Sequence, residues 1–288
     1  MARRRLLTGD ERRRLFDPPV QETAIIGHYT LSAEDVELVG RRYGPANRLG
    51  LAAQIALMRH PGFGLQPEIG LPDVILQYLA AQLFVDPSSF SAYGQRAQTR
   101  TDHADLVARY LGIRPFRRGD LALALNLAAQ AAEYTDRGEP IVRALMVGLK
   151  GERFILPSGD TLERAGLAGR ARARKAAAAA IVEGLSSAEL SRLDELVINN
   201  PDFGMTPLAW LRNFEEAPTA ANINGLLERL RYVRGIGIHP VVGGAIPEFR
   251  FAQFVREGGV APAFLLSDYS VNRRRATLTA AVIDLEAR

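Results

Sequence analysis

The chain contains no cysteine, and this absence excludes disulfide bonds and thiolate metal sites. It also has no run of about 18 apolar residues, so a membrane-spanning helix is not expected. The basic start of the chain is followed by acidic residues instead of an apolar segment, which is not the form of a secretory signal. These absences favour a cytoplasmic protein. The composition, 47% hydrophobic and 24% charged, is typical of a globular fold.

Motifs of several enzyme classes are absent as well. The chain has no Gly-x-x-x-x-Gly-Lys-Ser/Thr phosphate loop, no His-Glu-x-x-His zinc motif and no Gly-x-Ser-x-Gly nucleophile elbow. Its four histidines are scattered, and no β-rich segment is expected that would gather the carboxylates of a metal-dependent nuclease. We therefore expect no catalysis, cofactor or metal in this chain, although distant acidic residues can converge in a fold.

Lysine is nearly absent, and Lys150 and Lys175 are the only two in the chain. Arginine therefore supplies almost all of the positive charge, with six arginines in residues 1–14, and the net charge is +4. Arginine can hold a phosphate or a guanine with two hydrogen bonds, which favours nucleic acid as a partner. A GC-rich genome produces the same composition, and composition alone does not separate these two explanations.

Helical signals run through most of the chain. Thr8 and Ser32 each precede an acidic residue by three positions, which is the form of a capping box at the start of a helix. The helix after Ser32 is expected to end at Gly44-Pro45, because proline disfavours helix at the residue before it. A second helix is expected over residues 45–59, before Pro61.

The same reasoning extends to the rest of the chain. A helix is expected to begin at residue 101 or 102, and the apolar pattern of residues 121–134 predicts a helix that is buried on all sides. Residues 151–160 are rich in Gly, Pro and Ser and interrupt the helical pattern. We predict a mainly α-helical protein with two helical, helix-turn-helix-like domains in tandem, residues 1–150 and 151–288.

Two segments carry more specific information. The first has the sequence Arg41-Arg42-Tyr43-Gly44-Pro45-Ala46-Asn47-Arg48-Leu49-Gly50. The second has the sequence Tyr93-Gly94-Gln95-Arg96-Ala97-Gln98-Thr99-Arg100, followed by His103. They resemble the Arg-Arg-x-Gly-x-Ala-Asn-Arg-Leu-Gly and Tyr-Gly-Gln-Arg-x-Gln-Thr-Arg-x-x-His segments of the Tn-three-type replicative transposases, the family found in ampicillin- and mercury-resistance transposons. The likeness covers essentially the whole chain and is looser in its second half.

That resemblance implies that the chain binds double-stranded DNA at the terminal inverted repeats of a transposon. In the family, a separate RNase-H-like domain with an Asp-Asp-Glu triad and Mg²⁺ carries out strand transfer, and the resemblance implies that this sequence stops before such a domain. An alternative is that the chain is a truncated interaction or regulatory module that pairs with a full-length transposase.

Residues 34–59 have the spacing of a helix-turn-helix, in which residues early in the second helix meet base edges. Asn47 and Arg48 lie there, and these side chains can pair with adenine and guanine. Gln54 follows on the same helical face, and Gly50 between them permits close approach to DNA. The many apolar residues of this helix leave open that it is a core helix, with Asn47 satisfying backbone amides at its start.

The remaining polar candidates fall in three groups. The polar run 95–100 precedes an expected helix start, which attracts phosphate, although a solvated loop has the same composition. The basic clusters 170–175 and 273–275 suit either phosphate contact or solvation. The complete set of predicted DNA-binding residues is Arg41, Arg42, Asn47, Arg48, Gln54, Gln95, Arg96, Gln98, Arg100, Arg170, Arg172, Arg174, Lys175, Arg273, Arg274 and Arg275.

Overall fold

A computed structural model describes residues 5–65, 71–95, 97–213 and 220–287. Nearly all of its elements are helices, which confirms the mainly α-helical prediction. Within the described residues the sheet consists of two short parallel strands, β1 (Arg114–Pro115) and β2 (Phe154–Ile155). None of the described helices is both long and apolar enough to cross a membrane.

The chain divides into two compact units. Unit 1 comprises Met1–Ala131 and Arg137–Ala168, and unit 2 comprises Ala132–Asp136 and Gly169–Arg288. The predicted boundary at residue 150 lies near the end of a helix inside unit 1. The assignment of residues 1–150 and 151–288 as two DNA-binding domains stays a prediction.

Helices account for most of unit 1. They are α1 (Gly9–Phe16), α2 (Glu22–Tyr29), α3 (Ala33–Gly40), α4 (Pro45–Arg59), α5 (Asp73–Leu83), α6 (Ala97–Leu111), α7 (Leu121–Ala132) and α8 (Gly138–Gly151). Short 3-10 helices span Pro87–Ala92 and Arg118–Asp120.

Unit 2 is also helical. Helix α9 (Gly159–Glu183) begins in unit 1 and ends in unit 2. The later helices are α10 (Ser187–Glu195), α11 (Pro207–Arg212), α12 (Ala220–Ile236), α13 (Glu248–Val260), α14 (Ala263–Ser267) and α15 (Val271–Ala287), with a 3-10 helix at Pro240–Ala245.

The helix starts predicted at Thr8 and Ser32 are confirmed. In both cases the side-chain hydroxyl accepts a hydrogen bond from the backbone three residues on, and the acidic residue there accepts one from the capping residue. Helix α3 ends at Gly40, somewhat earlier than expected. Helix α4 has the predicted bounds, because Gly44 adopts a φ of +82° and proline occupies the first helical position.

Two other expectations are wrong. Helix α6 begins at Ala97 instead of at residue 101 or 102, so part of the polar run lies within its first turn. Helix α7 is not buried on all sides, because only Ala124, Ala128 and Ala132 are buried and Leu121 is 37% exposed. Small side chains at every fourth position form the packed face, and an all-apolar pattern does not reveal which face that is.

Helix α4 is the core of unit 1. All ten residues from Leu49 to Met58 are buried. Helices α2, α3, α5 and α6 and the 3-10 helix at Pro87–Ala92 pack around it. Of the two alternatives that the sequence left open, the structure therefore supports a core helix along most of the length of α4.

Helix α15 has the same role in unit 2, where residues Ala276 to Val282 are buried. Helices α10, α12 and α13 pack against it. The close approach of α13 needs Gly258, because a Cβ atom there would lie 2.7 Å from the carbonyl oxygen of Thr277.

A buried carboxylate joins three helices of unit 1. Asp35 of α3 has no exposed surface, and its Oδ1 atom accepts hydrogen bonds from Arg59 Nη2 at 2.6 Å and from the Tyr110 hydroxyl at 2.8 Å. Its Oδ2 atom accepts from Arg59 Nη1 and from the Ser32 amide. Burial raises the pKa of Asp35, but the hydrogen bonds outweigh this effect and lower the pKa below its ordinary value of 3.8.

We expect Asp35→Ala to lower the free energy of unfolding by about 3 kcal/mol, because it leaves the Arg59 charge half-buried without its partner. Urea unfolding at pH 7 measures this loss. The difference from wild type should shrink as pH falls below about 4, because a carboxylate with a lowered pKa stabilises the fold only while it is ionised.

Glu37→Ala on the same helix is the matched control. Glu37 pairs with Arg41 at 2.6 Å, and both side chains are about two-thirds exposed (68% and 65%). Exposed pairs contribute less than about 1 kcal/mol. Equal losses for the two variants would contradict the role given to the buried pair.

Candidate nucleic-acid interface

The two motif segments of unit 1 pack against each other. The Gln54 amide nitrogen of α4 donates to the Tyr93 hydroxyl at 2.8 Å and to the Arg100 carbonyl at 3.0 Å. The Tyr93 hydroxyl also lies 3.0 Å from Nδ1 of His103, and the two rings are stacked. Gln54, Tyr93 and His103 are buried, so we call these three side chains the buried network.

The buried network is uncharged at neutral pH. Burial lowers the pKa of His103, and the positive charge of Arg42 lowers it further. Burial raises the pKa of Tyr93 to about 12.

The structure corrects the placement of Gln54 and Gly50. Gln54 is only 2% exposed, so its side chain positions the second motif instead of reaching DNA. Gly50 is also buried, and a Cβ atom there would lie 2.1 Å from the Tyr93 ring. Its missing side chain makes room for Tyr93, not for DNA. Sequence spacing placed both residues on one helical face, and that face is internal.

Other residues of the first motif stay near the surface. Arg48 is exposed, and its Nε atom donates to the Arg42 carbonyl at 2.9 Å. Asn47 is half-buried and donates to the Tyr43 carbonyl at 3.0 Å. Asn47 thus binds a carbonyl, not the backbone amides of a helix start. The side chain of Arg41 is 65% exposed, and Arg42 is half-buried with an unpaired Nε atom.

The second motif packs against α4 at Gly50 and Gln54. Gln95 and Gln98 are exposed, and Gln98 donates to Asp102 at 2.7 Å. Arg100 is half-buried, and its guanidinium donates to the Gly94 carbonyl, so this side chain partly stabilises the turn before α6. Arg96 lies outside the described residues. The DNA contacts assigned to both motifs stay predictions.

In unit 2, the carboxylate of Asp136 pairs with two arginine side chains. Asp136 is contacted by Arg250 Nη1 at 2.7 Å and by Arg174 Nη2 at 2.5 Å, and Gln253 also donates to it. Arg250 is only 1% exposed and also binds backbone carbonyls of residues 132 and 135. Burial raises the pKa of Asp136, but these hydrogen bonds lower it to about 2.

Arg250 was not predicted as a site residue. Its only sequence signal is a charge between Phe249 and Phe251 on a helix, and this pattern does not identify its distant carboxylate. The other predicted residues of α9 differ in exposure. Arg170 is half-buried and binds the Asp136 carbonyl at 3.0 Å, whereas Arg172 and Lys175 are exposed.

The cluster Arg273–Arg275 is split by the fold. Arg274 and Arg275 both pair with Asp194, at 3.1 and 2.7 Å, and their side chains are only 19% and 24% exposed. One carboxylate of α10 thus binds both guanidinium groups, and the phosphate contact assigned to them stays a prediction. Arg273 is more exposed and pairs with Glu257.

The described residues contain no group of three or more His, Asp or Glu that could hold a metal ion. The predicted site residues that lie near the surface are instead hydrogen-bond donors, arginine, lysine, asparagine and glutamine. Such side chains bind phosphate and base edges.

The sequence matches known proteins along its whole length. It is 33% identical over 287 residues to the transposase for transposon Tn501 of Pseudomonas aeruginosa, and the match covers 100% of this chain and 29% of that protein. It is also 33% identical to the transposases for transposons Tn3926 and Tn21 of Escherichia coli, covering 99% and 97% of this chain. The chain spans under a third of the length of each, 29% and 28% for the last two.

These matches make the chain a homologue of the Tn3-family transposases. A family model described as a domain of unknown function, DUF4158, matches residues 6–168. The chain therefore belongs to the DUF4158 family. The matched region ends at Ala168, which is also the last residue of unit 1.

We expect Gly50→Ala to destabilise unit 1 by about 1–3 kcal/mol, because the added methyl group must displace the Tyr93 ring. Urea unfolding measures the loss. Gly40→Ala on α3 is the control, because nothing lies within 4 Å of a Cβ atom there and alanine favours helix. A Gly50→Ala variant with unchanged stability and weakened DNA binding would instead support the interpretation that Gly50 permits close approach to DNA.

We expect Asp136→Asn to lower the free energy of unfolding at pH 7 by about 3 kcal/mol, because it leaves the Arg250 charge buried without its partner. The loss should be full above about pH 4 and should vanish as pH falls towards 2, since the lowered pKa of Asp136 sets that window. Urea unfolding from pH 7 to pH 2 tests this expectation.

Asp268→Asn is the matched control in unit 2, because Asp268 is exposed at the end of α14. Surface changes of this kind stay within about 0.5 kcal/mol. A pH-independent loss in Asp136→Asn would argue against an ionic role for the carboxylate.

Proposed function

We propose that this chain binds double-stranded DNA at the terminal inverted repeats of a transposon, as part of a replicative transposase. The convergence of the two motif segments on the buried network supports this proposal most directly. The two segments are separated in the sequence by the stretch between Gly50 and Tyr93, yet they pack together against one helix, α4. Such a surface presents several hydrogen-bond donors at once.

The burial of α4 restricts how this surface meets a duplex. A recognition helix exposes an outer face to the major groove along several turns. Helix α4 is enclosed from Leu49 onwards, so only its first turn and the preceding turn are free to reach DNA. Arg41, Asn47 and Arg48 therefore carry base or phosphate contacts, and the first turn of α6 adds a phosphate contact.

Unit 2 binds a second portion of the same DNA through the exposed cations of α9. Two linked sites raise the overall affinity, because the second binding step is intramolecular. The proposed activity is DNA binding and does not include strand transfer. We propose a cytoplasmic location, because the transposases that the chain resembles come from bacteria, where DNA lies in the cytoplasm.

A second candidate function is an interaction module that pairs with a full-length transposase. It is favoured by apolar side chains of α12 that face solvent, Ile223, Leu226 and Leu227, at 52%, 53% and 44% exposure. Capture of a full-length transposase by the immobilised chain, in nuclease-treated extract, supports this function. Binding of repeat DNA without such capture supports the first.

We expect Asn47→Ala and Arg48→Ala each to reduce the preference for repeat DNA over a scrambled duplex by at least about fivefold, because a base contact contributes about 1–3 kcal/mol of discrimination. Gel-shift titration of both duplexes at physiological salt measures the ratio. Arg41→Ala should instead weaken both complexes and lower the salt slope by about 0.9, as loss of one phosphate contact does.

Arg109→Ala is the matched control, because Arg109 is exposed at the other end of α6, away from the motif. It should leave both the ratio and the salt slope unchanged. Circular dichroism confirms that each variant is folded. An unchanged ratio in folded Asn47→Ala and Arg48→Ala would show that these residues do not read bases.

A further inference from the structure

A cleft with a volume of about 940 Å³ opens in unit 2 among α9, α13 and the start of α15. Cationic side chains dominate its lining. They are Arg174, Lys175, Arg250, Arg256 and Arg273. Only one of them, Arg250, is fully buried.

The two carboxylates in the cleft are already paired. Asp136 is bound by Arg174 and Arg250, and Glu257 accepts hydrogen bonds from Arg273 and from the Tyr269 hydroxyl. Lys175 and Arg256 are exposed and form no ion pair or hydrogen bond within the ranges that the structure describes. The cleft therefore has uncompensated positive charge, which favours an anionic ligand.

The start of α15 adds backbone donors. Ser270, Val271 and Asn272 line the cleft, and the first amide that pairs along the helix is that of Arg274, with the Ser270 carbonyl at 2.9 Å. The earlier amides have no partner inside this 17-residue helix and belong to its amino-terminal end, which lines the cleft. The Nε atom of Arg250 has no hydrogen-bond partner among the described residues, but it is itself buried and not open to a ligand. The accessible donors are the exposed Lys175 and Arg256 side chains and the start of the helix, and this set matches a phosphate group.

The rim of the cleft is apolar. Val260 is 83% exposed and Val271 is 48% exposed, and both line the cleft. A phosphate alone gains nothing from these side chains, whereas the ring of a nucleobase covers them. In a duplex, neighbouring pairs cover both faces of each base, so only an unpaired base can contact the valines.

We propose that this cleft binds a nucleotide with an unpaired base, its phosphate at the cations and the start of α15, and its base against Val260 and Val271. This proposal deepens the proposed function, because it assigns unit 2 a preference for unpaired strand within the DNA substrate. It uses residues of unit 2 alone, so it is testable independently of base reading by unit 1.

The test compares wild type with the double variant Lys175→Ala/Arg256→Ala, using fluorescence anisotropy of a labelled short oligothymidylate. Loss of two phosphate contacts should weaken binding about tenfold or more and lower the salt slope by about 1.4, the value for two contacts on a single strand. Binding of a blunt repeat duplex should weaken several-fold less. Both side chains are exposed, so the variant is expected to fold.

Arg231→Ala is the matched control, because Arg231 is an exposed arginine of α12 that does not line the cleft. It should bind the oligothymidylate as wild type does. Thymidine monophosphate, used as a competitor, distinguishes a free nucleotide from a DNA strand as the ligand of the cleft. Competition at equal affinity assigns the site to a free nucleotide, and competition only by the longer strand assigns it to DNA.

Three results would overturn the proposal: no binding of oligothymidylate, equal loss of duplex and single-strand binding in the double variant, or the same loss in Arg231→Ala. None of these outcomes bears on unit 1. Failure of Asn47→Ala and Arg48→Ala to change duplex preference would in turn leave the cleft proposal intact.

Discussion

The contact between Gly50 and the Tyr93 ring decides how unit 1 is built. Because glycine has no side chain, the ring lies directly on α4, and its hydroxyl reaches the Gln54 amide at 2.8 Å. The same amide holds the Arg100 carbonyl, so the start of α6 is fixed to the middle of α4. An uncharged, buried polar cluster of this kind favours one arrangement, since displacement breaks the hydrogen bonds that the Gln54 amide nitrogen donates. Two polar segments that are distant in sequence thereby become one surface.

Carboxylates bind many of the arginine side chains whose abundance the composition alone did not explain. Asp35, Asp136 and Asp194 each receive arginine side chains from other helices. Part of the arginine content is therefore structural, whatever the base composition of the genome. The arginines and lysines that pair with no carboxylate are the ones that favour nucleic acid as a partner. Arg48 in unit 1 and Lys175 and Arg256 in unit 2 are exposed and have no acidic partner among the described residues.

Local sequence signals predicted the helices well. Tertiary contacts, which the sequence does not show, determine which predicted site residues are exposed. Capping boxes at Thr8 and Ser32 and the Gly44-Pro45 turn act within a few residues, so they are visible in the sequence. Gln54 was misplaced because a spacing of seven residues shows a shared face but not whether that face is internal. The pairing of Arg274 and Arg275 with Asp194 could not be predicted, because Asp194 is about 80 residues away in the chain. Arg250 gave no local signal, for the same reason.

The burial of α4 also constrains how specificity can arise. A recognition helix that lies in the groove offers several side chains over successive turns. Here Leu49 and all residues to Met58 are enclosed, so under the proposed function one turn of helix and its preceding loop would supply the base contacts of α4. Two or three such contacts, at about 1–3 kcal/mol each, give modest discrimination, and a long repeat then needs further contacts elsewhere. Under the proposed function a second unit with its own cationic surface would meet that need, because linking two weak binding sites raises the overall affinity without enlarging either surface.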